Sequence, residues 1–142
     1  SDFSYAEPNV QYSVTSCCAE RKAYFSDARL AKIVFDTWLE VLPKKGYRVL
    51  ALCVMPDHVH VVMISEEGCI ELGDAVGAAK SLSCARAGWG AIRWQGKSRD
   101  HVVRSNEDID NQIRYAINNP VRAELADHWE KWPWTFVYPE FR

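Results

Sequence analysis

The sequence has no long apolar run and almost no net charge, and these two absences exclude several classes of protein. The longest apolar stretch, residues 49–55, is far shorter than the roughly 20 residues of a membrane-spanning helix. With 17 basic and 19 acidic side chains the formal net charge is −2, which does not favour a protein that binds nucleic acid over its whole surface. The first nine residues, SDFSYAEPN, lack a basic leader and an apolar core. We therefore expect a cytoplasmic protein without membrane segments.

Metal-binding cysteine spacings, internal repeats and low-complexity tracts are also missing. The five cysteines are odd in number and include one adjacent pair but no CxxC motif, so we interpret them as reduced, mostly buried thiols. They are Cys17, Cys18, Cys53, Cys69 and Cys84. A chain of 142 residues without an internal linker is typical of one domain, and we predict a single domain over residues 1–142.

Positive charge is nevertheless concentrated in one part of the chain. Residues 80–104 contain six basic side chains and one acidic side chain, Asp100, with two tryptophans interleaved. The basic residues are Lys80, Arg86, Arg93, Lys97, Arg99 and Arg104, and the tryptophans are Trp89 and Trp94. Such a segment can neutralise phosphates while indole rings stack on unpaired bases. The alternative is an ordinary solvated surface with tryptophans in the core.

The first half of the chain alternates strand and helix patterns. Residues 11–18 predict a strand, and apolar positions with helical spacing between Leu30 and Leu42 predict a helix that begins near Ser26 and ends at residues 43–46. Two apolar, β-branched runs, residues 47–54 and 59–64, predict neighbouring strands joined by a turn at Pro56 and Asp57.

The second half continues the alternation. Residues 72–87 predict a helix, residues 88–96 a loop and residues 101–103 a short strand. A capping-box pattern at residues 105–108 predicts the start of a third helix, which should end at Asn119 because Pro120 disfavours helical geometry in the residue before it. This order predicts an α+β fold of the ferredoxin-like, split βαβ type: an antiparallel sheet with helices mainly on one face.

Two histidines stand at the start of a predicted strand. Side chains at positions i and i+2 of a strand project to the same face, so His58 and His60 could bind one metal ion. The alternative is that one or both are core histidines with satisfied hydrogen bonds.

Tyr115 and Asn119 are one turn apart on the third predicted helix, on the flank of its apolar stripe. A tyrosine hydroxyl and a carboxamide oxygen on one rigid element could supply a nucleophile and a further metal ligand. The alternatives are a packing tyrosine and an asparagine at the helix C-cap.

Taken together, five segments closely resemble the REP-associated tyrosine transposases, within the His-hydrophobic-His superfamily of single-tyrosine transposases. The segments are MPDHVHVV at 55–62, WQ at 94–95, DHVVR at 100–104, YAINNPVRA at 115–123 and WPWT at 132–135. They follow the order of the family and extend over nearly the whole chain. The sequence departs from the family at Glu124, where a glycine is usual, and in its low net charge.

The resemblance implies a site and a reaction. His58 and His60 are the implied metal ligands, Asn119 the third ligand, and Tyr115 the nucleophile that attacks a phosphate of single-stranded or hairpin DNA. The implied cofactor is Mg²⁺ or Mn²⁺, which suit a mixed nitrogen and oxygen ligand set. The basic and tryptophan residues of 80–104 become candidate DNA contacts, and the protein could be a monomer or a homodimer.

The sequence leaves three functions open. The first is a metal-dependent endonuclease and strand transferase that acts on REP-like hairpins through a 5′-phosphotyrosine. The second is a hairpin-binding module that has kept the scaffold and lost turnover, which the acidic balance and Glu124 favour. The third is a small metallohydrolase that uses His58 and His60, but it leaves the segment from Tyr115 to Arg122 unexplained.

Overall fold

The computed structural model describes residues 6–96, 99–102 and 109–141, and for 99–102 the backbone alone. Nine helices and strands in these ranges define the architecture, with short 3₁₀ turns between them. They are β1 (Gln11–Cys17), α1 (Ala28–Lys44), β2 (Tyr47–Met55), β3 (His58–Ser65), α2 (Leu72–Ala87), β4 (Arg99–Val102), α3 (Ile109–Ile117), α4 (Asn119–Arg122) and β5 (Thr135–Val137).

The strands form one antiparallel sheet in the order β4-β1-β3-β2-β5. The first four strands of this order, with α1 between β1 and β2 and α2 between β3 and β4, make the predicted ferredoxin-like arrangement, so the predicted α+β fold is confirmed. The sequence patterns did not predict β5, which is only three residues long and pairs with β2 at the edge of the sheet.

Helices α1 and α2 cover one face of the sheet, called here the α1/α2 face. Its core is apolar and includes the fully buried Trp38 of α1 and the inward residues of β3, Val59, Val61 and Met63. Helix α1 begins where the Asp27 side chain accepts a hydrogen bond from the Arg29 N–H, as an N-cap residue does.

Helix α3 covers the opposite face, called here the α3 face. A smaller apolar cluster holds it against the sheet, and its members are Leu50, Ala51, Val62, Ile113, Ala116, Ile117 and Val137. Because side chains alternate along a strand and Val62 of β3 points to α3, His58 and His60 of the same strand point to α3 as well.

The third helix ends earlier than the sequence predicted. Helix α3 stops at Ile117, not at Asn119, and a separate short helix, α4, starts at Asn119 after one intervening residue. Pro120 is the physical reason: it has no N–H for the carbonyl of Ala116, but it is well tolerated in the first turn of a new helix. The prediction was therefore right that the proline stops the helix and wrong about the last residue.

Smaller differences concern the strand before this helix and the residues that precede it. Strand β4 is Arg99–Val102, two residues earlier at its start than the predicted 101–103. The predicted capping box at 105–108, and the predicted DNA contacts Lys97 and Arg104, lie outside the described residues. Within the described ranges, no helix has the length and apolar character to cross a membrane.

Candidate active site

His58 is held by a carboxylate from the turn between β2 and β3. Its Nδ1 donates to the Asp57 Oδ1 at 2.8 Å, and the Asp57 Oδ2 accepts from the Arg21 Nε at 3.0 Å. Partial burial alone would raise the pKa of Asp57, but the hydrogen bonds from His58 and Arg21 lower it below its ordinary value, so the carboxylate remains charged. With Nδ1 used in this way, Nε2 is the nitrogen that His58 can offer to a metal.

His60 lies one step further along β3 and is nearly buried, with 8% of its surface exposed. Burial, followed by the charges of His58 and Arg122, lowers its pKa from 6.5 to about 4, so the ring is neutral near pH 7. The Asn119 Nδ2 is 3.3 Å from its Nδ1 and the Ser13 Oγ is 2.8 Å from its Nε2. Because an amide nitrogen only donates, Nδ1 accepts from Asn119, and Nε2–H donates to Ser13 of β1.

The position of the Asn119 amide follows from the proline that comes next. Pro120 has no N–H to donate to the carbonyl of Ala116, four residues earlier. The Asn119 Nδ2 donates to that carbonyl at 3.0 Å instead, which satisfies it and turns the same NH₂ group towards His60. The break between α3 and α4 thus directs a site residue into the sheet.

Tyr115 lies at the end of α3, beside this network and open to solvent. Its side chain is 59% exposed, and its ring centroid is 6.4 Å from that of His60, with the two planes at 68°. The guanidinium of Arg122 lies over the ring of Tyr115, with its Cζ 3.6 Å from the ring centroid. The structure therefore brings His58, His60, Tyr115 and Asn119 onto one face, with the phenol accessible.

The donor set on this face fits a divalent cation. Each imidazole has one nitrogen fixed by a neighbouring side chain, Asp57 or Ser13, which is the arrangement that orients metal-binding histidines. His60 is neutral, as a ligand must be. Among the described residues no cluster of three or more His, Cys, Asp or Glu side chains could hold a metal ion. Asn119, whose amide lies beside His60, is the described side chain of another type that could serve as a third ligand.

The predicted DNA contacts separate into two groups. Trp89 follows the C-terminus of α2 with 74% of its surface exposed, and Arg93 is also exposed, so both are accessible to a ligand. The backbone of Arg99 pairs with Thr15 of β1, at the strand next to the two histidines. These three residues remain compatible with the predicted role.

Trp94, Lys80 and Arg86 have other partners. The Trp94 ring packs against Phe25 and Trp38, with centroids at 5.5 and 5.7 Å, and the Lys80 ammonium lies 5.7 Å from its centroid. Trp94 is therefore partly buried against the core, and its role as a stacking platform stays a prediction that these contacts do not favour.

Arg86 connects the two helices of the α1/α2 face. Its guanidinium donates to the Glu40 carboxylate at 3.0 Å and to the Thr37 hydroxyl at 3.2 Å, both on α1. Arg86 remains partly exposed, but its guanidinium is already hydrogen-bonded to α1, and its role as a DNA contact stays a prediction.

Sequence reasoning missed three residues of the site. Ser13 carries no local signal, because only strand pairing brings it to His60. Asp57 was interpreted as a turn residue, although its position next to His58 was visible. Arg122 is seven residues after Tyr115 and three after Asn119, a helical spacing that could have indicated a shared face.

Comparison with known proteins gives a family. The family model described as “Transposase IS200 like” matches residues 6–88, more than half of the chain, and this range contains His58 and His60. A Haemophilus influenzae protein named “Putative REP-associated tyrosine transposase” is 22% identical, and the match covers 66% of this chain and 65% of the relative. The chain thus spans slightly less than two thirds of that relative's length.

Two solved structures share the fold. The structure of a REP-associated tyrosine transposase bound to a REP hairpin superposes with a TM-score of 0.78 at 19% identity, covering 93% of this chain and 79% of the other. A “putative transposase” of Deinococcus radiodurans superposes with a TM-score of 0.58 at 22% identity, covering 84% of this chain and 96% of the other.

Proposed function

Because the chain belongs to the IS200-like transposase family, we propose that it is a metal-dependent single-strand DNA endonuclease and strand transferase with Tyr115 as nucleophile. One observation supports this most directly. The helix pair α3 and α4 brings Asn119 to 3.3 Å from His60 and keeps the Tyr115 phenol beside the same imidazole and exposed. Attack on a large, external substrate requires a solvent-accessible nucleophile, and the Tyr115 side chain meets this condition.

The proposed reaction exchanges one phosphate ester for another. The Tyr115 oxygen attacks the phosphorus of a DNA phosphodiester and forms an O–P bond, while the bond from phosphorus to the 3′ oxygen breaks. The phenol proton leaves to solvent, and the 3′ oxygen takes up a proton and departs as a free 3′-hydroxyl. The remaining strand is held as a 5′-phosphotyrosine, and because the ester is conserved, the reverse attack by a 3′-hydroxyl rejoins a strand without ATP.

The residues proposed to hold a divalent cation, Mg²⁺ or Mn²⁺, are His58, His60 and Asn119. A cation bound there would withdraw charge from the phosphate, which a neutral phenol needs because it is a poor nucleophile near pH 7. The protein's own contribution is to fix both imidazoles through Asp57 and Ser13 and to keep His60 neutral. Tyr115 is held at the end of a helix whose other side is buried in the α3 face.

The proposed substrate is hairpin DNA with single-stranded flanks. A protein with the same fold has been solved bound to a REP hairpin, and this chain presents an exposed indole, Trp89, and an exposed arginine, Arg93, in the segment between α2 and β4. Indole rings stack on unpaired bases and arginines contact phosphates, which suits the loop and flanks of a hairpin. The low net charge fits contacts restricted to this part of the surface.

The test is to trap the covalent intermediate. Hairpin oligonucleotides labelled at the 3′ end are incubated with the protein and Mn²⁺ or Mg²⁺, denatured and separated by electrophoresis. We expect label that migrates with the polypeptide and disappears with a chelator and in Tyr115→Phe. The matched control is Tyr24→Phe, which changes a partly buried tyrosine packed on the α1/α2 face and should leave the adduct intact.

A second variant separates chemistry from binding. His58→Ala should abolish the adduct but weaken hairpin binding only slightly, since phosphate and stacking contacts supply most of the affinity. Hairpin binding by the wild type without any adduct would contradict the proposed enzyme and favour a binding module. Neither binding nor adduct would contradict both DNA functions.

A further inference from the structure

Arg122 contacts the candidate nucleophile and the candidate third ligand at the same time. Its Nη2 donates to the Asn119 Oδ1 at 2.6 Å and to the carbonyl oxygen of Tyr115 at 2.7 Å. Its Cζ lies 3.6 Å from the centroid of the Tyr115 ring, a close cation–π distance. Neither the family match nor the sequence patterns assign a role to this arginine.

These contacts fix which end of the Asn119 amide faces His60. The oxygen points to Arg122, and the NH₂ group points to the carbonyl of Ala116 and to the His60 Nδ1. Turning the amide over would set an NH₂ group against the guanidinium, donor against donor, and an oxygen against the Ala116 carbonyl. The amide therefore cannot turn its oxygen towards His60 unless Arg122 releases it.

Cation binding by these residues requires the Asn119 oxygen, and not its NH₂ group, to face His60. A carboxamide binds a hard cation through its oxygen, and His60 needs a free nitrogen lone pair, which the Asn119 NH₂ group now occupies at Nδ1. The arginine and the cation therefore need the same oxygen, and both carry positive charge. A guanidinium released beside Tyr115 is chemically suited to contact a phosphate.

We propose that Arg122 is a positioning residue that competes with the divalent cation for the Asn119 oxygen, so that cation binding requires Arg122 to move off that oxygen. This inference rests on the proposed function, because it takes His58, His60 and Asn119 as the cation site. It goes further by assigning a residue that controls the site and by giving the sign of its effect on cation affinity.

The test measures Mn²⁺ affinity without DNA, from the signal of free Mn²⁺ in electron paramagnetic resonance. We expect Arg122→Ala to bind Mn²⁺ about three- to tenfold more tightly than the wild type, the equivalent of one competing hydrogen bond. In the Asn119→Ala background the same substitution should change the affinity less than twofold, because the contested oxygen is gone. Unchanged or weaker binding in Arg122→Ala, or an equal gain in both backgrounds, would overturn the proposal.

Three controls make these outcomes unambiguous. Arg114→Ala removes an exposed arginine of α3 and should leave the affinity unchanged, whereas a gain equal to that of Arg122→Ala would show a general charge effect and overturn the competition. If Arg122→Ala folds poorly, Arg122→Met, which keeps an aliphatic side chain and removes every donor, should give the same gain in Mn²⁺ affinity. If His58→Ala leaves Mn²⁺ binding intact, the proposed cation site itself is wrong. If binding depends on His58 but ignores Arg122, only the competition is wrong.

Discussion

The two faces of the sheet are built differently, although they share the same strands. The α1/α2 face buries a large apolar cluster around Trp38, and its helices are connected by Arg86. The α3 face buries a small apolar cluster and carries a polar row, in which Ser13, His60 and Asn119 are linked by hydrogen bonds. The alternation of side chains along β3 thus places the larger apolar core on one face of the sheet and the candidate site on the other.

The largest effect should come from the apolar face. Trp38→Ala removes a fully buried indole and should lower the free energy of unfolding by about 3–5 kcal/mol, measured in urea. Tyr115→Phe, an exposed change on the other face, should leave it within about 0.5 kcal/mol. If both variants lost similar stability, the division between the two faces would not hold.

A serine on each face sharpens the comparison. Ser13→Ala removes the acceptor that fixes His60 and should weaken Mn²⁺ binding by about 10- to 100-fold, as loss of a partner of a metal ligand does. Ser83→Ala removes another buried hydroxyl, which donates to the Ala79 carbonyl within α2. We expect no change in Mn²⁺ affinity for this control, as judged by titration calorimetry.

The exposed indole tests whether the α1/α2 side also contacts DNA. Trp89→Ala should weaken binding of a hairpin with single-stranded flanks on the order of tenfold, since one stacked base contributes about 1–3 kcal/mol. The midpoint of thermal unfolding should not move, because the ring has few packing contacts to lose. Unchanged affinity in a fluorescence anisotropy titration would confine the DNA surface to other residues.

The smallest effect should follow substitution of the arginine that connects the two helices. Arg86→Ala should change hairpin affinity less than twofold, because its guanidinium is already used by Glu40 and Thr37. Arg93→Ala, at an exposed arginine seven residues later, should weaken binding more and reduce its salt dependence. A larger loss in Arg86→Ala than in Arg93→Ala, measured at two salt concentrations, would reverse this assignment.

Local patterns predicted most of the fold. The bounds of α2, Leu72–Ala87, match the prediction, and β2 and β3 each differ by one residue at an end or at both ends. Strands β2 and β3 contain continuous apolar runs, and the buried residues of α2 recur at helical spacing. Strand β5 has only three residues, and its existence depends on pairing with β2, which a local pattern does not report.

The site was predictable in part, and the division has a physical cause. His58 and His60 share a face because of strand geometry, and Tyr115 and Asn119 are neighbours because of helix geometry. What brings the two pairs together is packing of α3 on the sheet, and what joins Ser13 to His60 is the register of β1 on β3. Such contacts depend on the tertiary structure. Residue spacing alone therefore could not exclude core histidines, a packing tyrosine or an asparagine at a helix C-cap.

The missing N–H of Pro120 has a consequence beyond stopping α3. The carbonyl of Ala116, left without a backbone donor, takes one from the neighbouring asparagine side chain, and the same amide then reaches the imidazole of β3. With alanine in place of Pro120, the main-chain N–H of residue 120 could donate to the Ala116 carbonyl again. The Asn119 amide would then lose this hydrogen bond. Pro120, which has no reactive group, thereby determines where the amide of Asn119, the candidate third ligand, is held.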